Sequence, residues 1–93
     1  MTVLMTSSEI RQALDDLDGW AQCGDTVQKT FKFPDFKAAF AFMTACALKA
    51  EQMNHHPDWS NVYATVNVSL STHDAGGITT KDIELATFMN AQT

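Results

Sequence analysis

The segment from residue 62 to residue 71 constrains the fold most, because apolar and mostly polar residues alternate along its whole length. The first set is Val62, Ala64, Val66, Val68 and Leu70, and the second set is Tyr63, Thr65, Asn67, Ser69 and Ser71. Such alternation predicts a sheet with one buried and one polar face, formed by either one long strand or a tight hairpin. His73 continues the second set, so we expect it over the open side of the sheet.

A long helix is predicted over residues 35–53, because this run is rich in Ala, Phe, Met and Leu and has no interior Gly or Pro. Pro57 disfavours helical geometry at His56, so the helix must end before that residue. The predicted buried face comprises Phe36, Phe40, Met43, Ala47 and Ala50, which recur at helical spacing. Phe42 and Cys46 widen this stripe and could serve a subunit contact.

Two shorter helices are predicted from capping boxes, in which a hydroxyl and a carboxylate satisfy each other's backbone N–H groups. Thr6 and Glu9 have this spacing and begin a helix over residues 7–17. Thr79 and Asp82 have it again, at the start of the final helix.

A Gly-Asp pair at positions 24 and 25 links two strand-like runs, over residues 20–23 and 26–33, and so predicts a hairpin. Lys29 interrupts the apolar face of the second run, so that face should be open there or the strand should lie at an edge. The order of elements is then helix, hairpin, helix, strand or hairpin, helix. This order predicts an α+β fold with an antiparallel sheet and helices on one face.

Composition and charge narrow the class of protein. A chain of 93 residues that is 45% hydrophobic makes one globular domain, here residues 1–93. Its net charge of -5 argues against nucleic acid or an anionic membrane surface as the main partner. Cys23 and Cys46 are too few for a disulfide framework. With no visible signal peptide and no run long enough to span a membrane, the sequence predicts a soluble cytoplasmic protein.

All three histidines lie between residues 55 and 73, and His55 and His56 stand directly before a proline. Histidine can both give and take a proton near neutrality, so this concentration predicts a proton-transfer site. A zinc site is the rival explanation for three histidines. Adjacent histidines on an extended backbone point to opposite sides, and no His-x-x-x-His spacing is present, so we expect no metal.

The site residues and their spacing resemble the signature of the pterin-4a-carbinolamine dehydratases. The residues concerned are Glu51, His55, His56, Pro57, Tyr63, His73 and Asp82, and the similarity extends over nearly the whole chain. The resemblance implies a four-stranded antiparallel sheet with three helices packed on one face. It also makes residues 58–72 a hairpin that bends near residues 63–65. Ala64 departs from the family, which usually has Asn there, and Asn accepts the left-handed backbone of a tight turn better than Ala.

The activity implied by the resemblance is removal of water from 4a-hydroxytetrahydropterin to give quinonoid dihydropterin, which recycles the cofactor of aromatic amino acid hydroxylases. It needs no metal and no cofactor, because imidazoles can supply both proton transfers. By this resemblance, His55 and His73 donate protons to the leaving hydroxyl, and His56 positions the pterin and acts as base. Glu51 and Asp82 orient the imidazoles or, by their charge, favour the protonated rings.

Trp59 and Asp58 complete the predicted substrate-binding set, with Trp59 as an apolar wall against the flat ring. The sequence leaves structural alternatives open. The capping box alone explains Asp82, and Trp59 and Tyr63 could be core or sheet aromatics.

A second hypothesis from another class is a protein-binding or dimerisation module that acts as a coactivator or regulator, because members of this family also associate with other proteins. Phe42, Cys46 and Met89 could make such contacts, and self-association into a homodimer or homotetramer would use the same positions. The histidines discriminate between the hypotheses, since a pure binding module has no need of all three.

Overall fold

The computed structural model describes residues 3–93, which form three helices, four strands and one short 3-10 helix. The helices are α1 (Ser7–Asp15), α2 (Phe36–Met53) and α3 (Thr80–Ala91), and the 3-10 helix spans His73–Ala75. The strands are β1 (Ala21–Cys23), β2 (Thr26–Lys32), β3 (Asp58–Val62) and β4 (Thr65–Leu70). Each predicted helix and hairpin is present, although α1 ends before its predicted end. No helix in this part of the chain is long and apolar enough to cross a membrane.

Side chains at the helix ends fix where the helices begin and stop. Thr6 and Glu9 form the predicted capping box of α1. Asp35 accepts the Ala38 N–H at 2.8 Å and so caps the first turn of α2. Asn54 ends α2 in the left-handed conformation, with φ of 51°. The long helix therefore ends before the histidine pair, as predicted.

The strands form one antiparallel sheet in the order β1-β2-β4-β3. Residues paired across antiparallel strands project from the same face. The pairs Val27–Leu70 and Phe31–Val66 join β2 to β4, and all four side chains are buried in the core. The predicted α+β fold, a four-stranded antiparallel sheet with three helices on one face, is confirmed.

The β3–β4 hairpin turns at residues 63 and 64, within the span that the family resemblance implied. Tyr63, not Ala64, takes the left-handed conformation, with φ of 56°. Asn61 holds the turn, because its Nδ2 donates to the carbonyl oxygens of Tyr63 and Thr65, both at 3.0 Å. Val62 pairs with Thr65 on the open face and is 70% exposed. Grouping it with the buried residues was wrong, because the turn changes the parity of the alternation.

The predicted buried face of α2 is wrong at Phe36, Phe40 and Ala47, whereas Ala50 is buried as predicted. Phe36 and Phe40 are 47% and 55% exposed, and Ala47 is exposed as well. The buried residues of α2 are Ala39, Phe42, Cys46 and Ala50. Apolar residues occur on more than one side of this helix, so its periodicity alone does not select the side that packs.

Phe31 of β2 and Phe33, just beyond the end of that strand, select the packed side of α2. The Phe42 ring lies 4.6 Å from that of Phe31 and 5.0 Å from that of Phe33, measured between centroids. Phe42, Cys46 and Met89 are all buried within the protomer. The hypothesis that these three residues form a subunit contact is therefore wrong.

Lys29 lies on the helix-covered face, opposite Val68 of β4. Its strand is central in the sheet, so the edge alternative is wrong. The Lys29 Nζ donates to the Asp18 carbonyl at 2.8 Å and to Asn90 Oδ1 at 2.9 Å. It also lies 4.6 Å from the centroid of the Phe31 ring. The covered face accommodates this cation because polar acceptors meet it at the margin of the core.

Candidate active site

Asp82 lies at the N-terminal turn of α3 and is fully buried. Its Oδ2 accepts the Thr79 N–H at 2.9 Å, which completes the predicted capping box, and also accepts the Thr72 hydroxyl at 2.9 Å. Its Oδ1 lies 2.5 Å from His55 Nε2. A buried carboxylate needs such partners, since an unpaired charge in the core is strongly unfavourable. Asp82 therefore serves both the helix cap and the histidine.

The end of α2 directs the His55 side chain inwards. The left-handed Asn54 reverses the chain, and the His55 N–H donates to the Ala50 carbonyl at 3.0 Å. The imidazole that results is only 8% exposed. As a carboxylate, Asp82 can only accept hydrogen bonds, so the hydrogen of the short contact lies on His55 Nε2.

The other nitrogen of the His55 ring, Nδ1, is then free to exchange a proton with a ligand. His55 Nδ1 has no hydrogen-bond partner among the described residues. Within residues 3–93, no fully buried side-chain nitrogen or oxygen lacks a partner. It follows that Nδ1 is not fully buried, which leaves it able to meet a substrate atom.

His56 and Glu51 form a second histidine–carboxylate pair, on the surface. His56 Nε2 lies 2.7 Å from Glu51 Oε1, and the two side chains are 55% and 78% exposed. Glu51 stands in the last turn of α2, where the helix dipole disfavours an acid. The neighbouring imidazole gives this carboxylate a partner and so offsets the unfavourable position.

His73 is exposed in the 3-10 helix that follows β4. β4 ends at Leu70, so His73 lies beyond the sheet in the turn that follows, and its place over the open face of the sheet stays a prediction. Its neighbour Thr72 is bonded to Asp82, so His73 adjoins the buried network through the chain. The structure shows no hydrogen bond that joins His73 directly to the other two histidines.

Asp58 and Trp59 begin β3 and project from opposite faces of the sheet. Asp58 pairs with Ser69 on the open face and is exposed. Trp59 pairs with Val68 on the covered face and is half-buried against the core. Tyr63 is 74% exposed in the hairpin turn, so it is not a core aromatic.

Sequence reasoning missed Thr72, which bonds to Asp82 and contacts the capping residue Thr79. Their hydroxyl oxygens are 2.6 Å apart, and both residues are buried. The signal for Thr72 lay in the alternation, because Val66, Val68 and Leu70 continue to this residue at steps of two. A hydroxyl on the buried face needs a buried partner, and Asp82 supplies it.

The arrangement suits acid–base chemistry by imidazoles. His55 and His56 each contact a separate carboxylate, so the pair is not arranged to share one ligand. No group of three or more His, Cys, Asp or Glu side chains within residues 3–93 is placed to hold a metal ion. A cavity of about 590 Å³ lies elsewhere, beside Phe33 and the N-terminal half of α2.

Comparison with known proteins identifies the family. The family model of pterin 4 alpha carbinolamine dehydratase matches residues 3–92. A relative of that name from Bradyrhizobium diazoefficiens is 54% identical over 93 residues, which cover 98% of this chain and 93% of the relative. Another from Opitutus terrae is 49% identical over 87 residues, which cover 92% of this chain and 90% of the relative.

A solved structure agrees with the sequence matches. The crystal structure of a transcriptional coactivator/pterin dehydratase from Brucella melitensis has a TM-score of 0.93 and 46% identity, covering 95% of this chain and 96% of that one. The family resemblance and the enzyme class predicted from the sequence, a dehydratase and hence a lyase, are confirmed. This chain belongs to the pterin-4a-carbinolamine dehydratase family.

Proposed function

We propose that this protein removes water from a 4a-hydroxytetrahydropterin to give quinonoid dihydropterin, with His55, His56 and His73 carrying the proton transfers. Membership of the family supports the dehydratase activity. The observation that carries the assignment of groups is the buried contact of Asp82 Oδ1 with His55 Nε2, at 2.5 Å. It orients the imidazole and leaves Nδ1 free to exchange a proton with a ligand.

The reaction requires one acid and one base. The C4a–O bond breaks when an acid protonates the hydroxyl, which leaves as water. A base removes the proton from N5, and the electron pair of that bond forms the C4a=N5 double bond. No electrons pass to another reactant, so positioned imidazoles are chemically sufficient.

In this proposal His55 and His73 protonate the leaving hydroxyl, and His56 positions the pterin and accepts the N5 proton. Asp82 orients His55 and offsets the positive charge of its protonated ring. Glu51 does the same for His56 as that ring gains a proton. Trp59 and Asp58, at the start of β3, complete the proposed substrate-binding set, with the indole as an apolar wall for the flat ring.

The first test compares the wild type with His56→Ala in the dehydration of enzymatically generated 4a-hydroxytetrahydropterin, followed by absorbance. His56 is more than half exposed, so its replacement should leave the fold intact. We expect catalysis by the wild type and a loss of roughly 10²-fold or more in the variant, as for removal of a general base. A folded wild type no faster than buffer would refute the proposed function.

The pH profiles of single variants separate the acid from the base. Loss of a proton donor removes the fall in rate at high pH, and loss of the base removes the fall at low pH. His73→Ala tests the exposed donor directly. His55→Gln is preferred to alanine, because the Gln amide can still donate to the buried Asp82. Indifference of the rate to His73→Ala would remove that residue from the mechanism.

We propose further that the product re-enters the tetrahydropterin pool used by an aromatic amino acid hydroxylase, and that the protein is a homodimer or homotetramer. Phe36, Phe40 and Leu48 expose much of their apolar surface on α2, which supports self-association. Sedimentation equilibrium of the wild type and Leu48→Ser checks the assembly. A wild type that sediments as a monomer would contradict this part of the proposal.

The second candidate function is a protein-binding module, favoured by the coactivator activity named for the Brucella melitensis relative. The exposed α2 residues Phe36 and Phe40 would provide its contact surface. The net charge of -5 makes direct contact with nucleic acid unfavourable, so its partner would be a protein. Binding that survives in His56→Ala and is lost in Phe40→Ser would separate this role from catalysis.

A further inference from the structure

Two buried threonines connect the Asp82 carboxylate to the loop that carries His73. The Thr72 hydroxyl donates to Asp82 Oδ2 at 2.9 Å, and the Thr72 and Thr79 hydroxyl oxygens are 2.6 Å apart. Thr79 and Asp82 are fully buried, and Thr72 is 6% exposed. Every fully buried side-chain nitrogen and oxygen within residues 3–93, including those of this network, has a hydrogen-bond partner.

The hydroxyls of this network have only one consistent direction. A hydroxyl has a single hydrogen, and Thr72 donates its hydrogen to Asp82. In the contact between the threonines, the hydrogen must then come from Thr79. Thr79 Oγ1 in turn accepts the Lys81 N–H at 3.3 Å. All donors therefore point towards the carboxylate, an arrangement in which each bond strengthens the next.

Thr72 also fixes the main chain around His73. Its carbonyl accepts the N–H groups of Ala75 and Gly76 at 3.1 and 3.0 Å. Its own N–H donates to the Gly77 carbonyl at 2.7 Å. The residue is thus held on its side chain by Asp82 and on its backbone by the turn that presents His73.

We propose that Thr72 and Thr79 are positioning residues of the active site. They hold Asp82 in line with His55 Nε2, and they fix the position of His73 relative to that pair. This inference rests on the proposed function for its kinetic consequence. Without the Thr72 hydroxyl, Asp82 loses one of its two partners at Oδ2 and can turn away from the imidazole. The His55 ring then no longer holds its hydrogen on Nε2 alone, and Nδ1 ceases to be a uniform exchange position.

The test uses Thr72→Val, which removes the hydroxyl at nearly constant volume, beside Thr72→Ser, which keeps it. We expect kcat to fall about 10- to 100-fold in the valine variant with little change in KM, the effect of losing one hydrogen bond to a charged group. The serine variant should keep kcat within about threefold of the wild type, since it retains that bond. Thr87→Val is the matched control, because its exposed hydroxyl bonds only to the Ile83 carbonyl on α3.

A second readout does not depend on activity. Long-range ¹H–¹⁵N correlations of the histidine rings report which nitrogen carries the hydrogen. We expect the neutral His55 ring to carry its hydrogen on Nε2 in the wild type, the serine variant and the Thr87→Val control. Thr72→Val should show a mixture of forms. An unchanged His55 spectrum with unchanged kcat in Thr72→Val would overturn the proposal, as would a serine variant as impaired as the valine variant.

The dehydratase activity and the positioning role of the threonines can be tested separately. If the wild type proves inactive, the ring spectra of His55 still decide whether the threonines position it. If Thr72→Val does not fold, Thr79→Val and Thr79→Ser repeat the comparison one bond further from Asp82. The valine variant should then disturb the His55 spectrum and the serine variant should not. An undisturbed spectrum in a folded Thr79→Val would remove Thr79 from the positioning set.

Discussion

Trp20 and Asn90 stand 70 residues apart in the chain and are joined by a 2.9 Å hydrogen bond from the indole Nε1–H to the side-chain oxygen. The same oxygen accepts Lys29 Nζ at 2.9 Å, and Asn90 Nδ2 donates to the Asp18 carbonyl at 3.1 Å. One amide near the end of α3 thus ties the loop after α1 to the central strand β2.

Replacement of Asn90 by alanine should therefore destabilise the fold. The buried Trp20 indole N–H loses its acceptor, and the half-buried Lys29 keeps only the Asp18 carbonyl. We expect the free energy of unfolding to fall by about 1–3 kcal/mol, the cost of leaving a buried donor unpaired. Alanine has the higher helix propensity, so the loss would not come from the helix itself.

Urea unfolding monitored by tryptophan fluorescence measures this loss. Asn67→Ala is the matched control, since Asn67 is exposed and its side chain, among the described residues, accepts only the Thr30 hydroxyl, at 2.7 Å. The control should change the free energy of unfolding by no more than about 0.5 kcal/mol. Equal losses of unfolding free energy in both variants would show that the bond to Trp20 stabilises the fold no more than an exposed hydrogen bond does.

The two cysteines should differ sharply in reactivity. Cys23 is exposed, whereas Cys46 is fully buried in α2. Desolvation by burial raises the pKa of the Cys46 thiol from 9.0 to about 12. Ellman's reagent at pH 8 should label one thiol per native chain and two after unfolding in urea, because the reactive thiolate does not form in the core.

The raised pKa of Cys46 also gives a pH dependence of stability. The folded state keeps the thiol proton that the unfolded state releases above pH 9.0, so stability falls as pH rises from 9.0 towards 12. The slope of the unfolding free energy between pH 9 and about 10.5 should be shallower in Cys46→Ala than in the wild type. Cys23→Ala is the control and should keep the wild-type slope. Identical slopes in all three proteins would contradict the buried-thiol account.

Glu51→Gln should lower activity with almost no effect on stability. The carboxylate and His56 are both largely exposed, so their 2.7 Å contact contributes little to folding in high dielectric. In the proposed mechanism, however, the negative charge favours the protonated ring that His56 becomes when it takes the N5 proton. We expect kcat to fall about tenfold with an unchanged unfolding midpoint.

Glu84→Gln controls for the loss of an exposed acid. Glu84 of α3 is 60% exposed and contacts Lys49 of α2 at 3.5 Å. This variant should match the wild type in both activity and stability. If Glu51→Gln behaves in the same way, the carboxylate has no part in the proton transfer.

Local signals in the sequence predicted the elements well and the packed faces less well. The capping boxes at Thr6 and Thr79 predicted where their helices begin, because a cap depends only on nearby residues. The packed face of α2 depends on the rings of Phe31 and Phe33, which meet Phe42 only in the folded state. Periodicity cannot contain that information.

In the candidate site, too, local features could be predicted from the sequence and tertiary contacts could not. The adjacent histidines before a proline were visible in the sequence, as was the capping role of Asp82. The contact between Asp82 and His55 joins residues that are 27 positions apart, and only the tertiary fold brings them to 2.5 Å. Thr72 was hidden because its place on the buried face matters only once Asp82 lies beside it.

Tyr63→Gly should stabilise the protein. Tyr63 holds φ of 56°, a conformation that is unfavourable for a bulky side chain, and its ring is 74% exposed, so little packing is lost with it. Glycine removes the backbone strain but loses more entropy on folding, and we expect a net gain of about 0.5–1 kcal/mol in the free energy of unfolding. Val62→Ala is the control, because Val62 is equally exposed with ordinary φ, and it should change stability by no more than about 0.5 kcal/mol. Urea unfolding of the two variants decides, and a loss of stability in Tyr63→Gly would mean that contacts of the exposed ring outweigh the strain of its backbone.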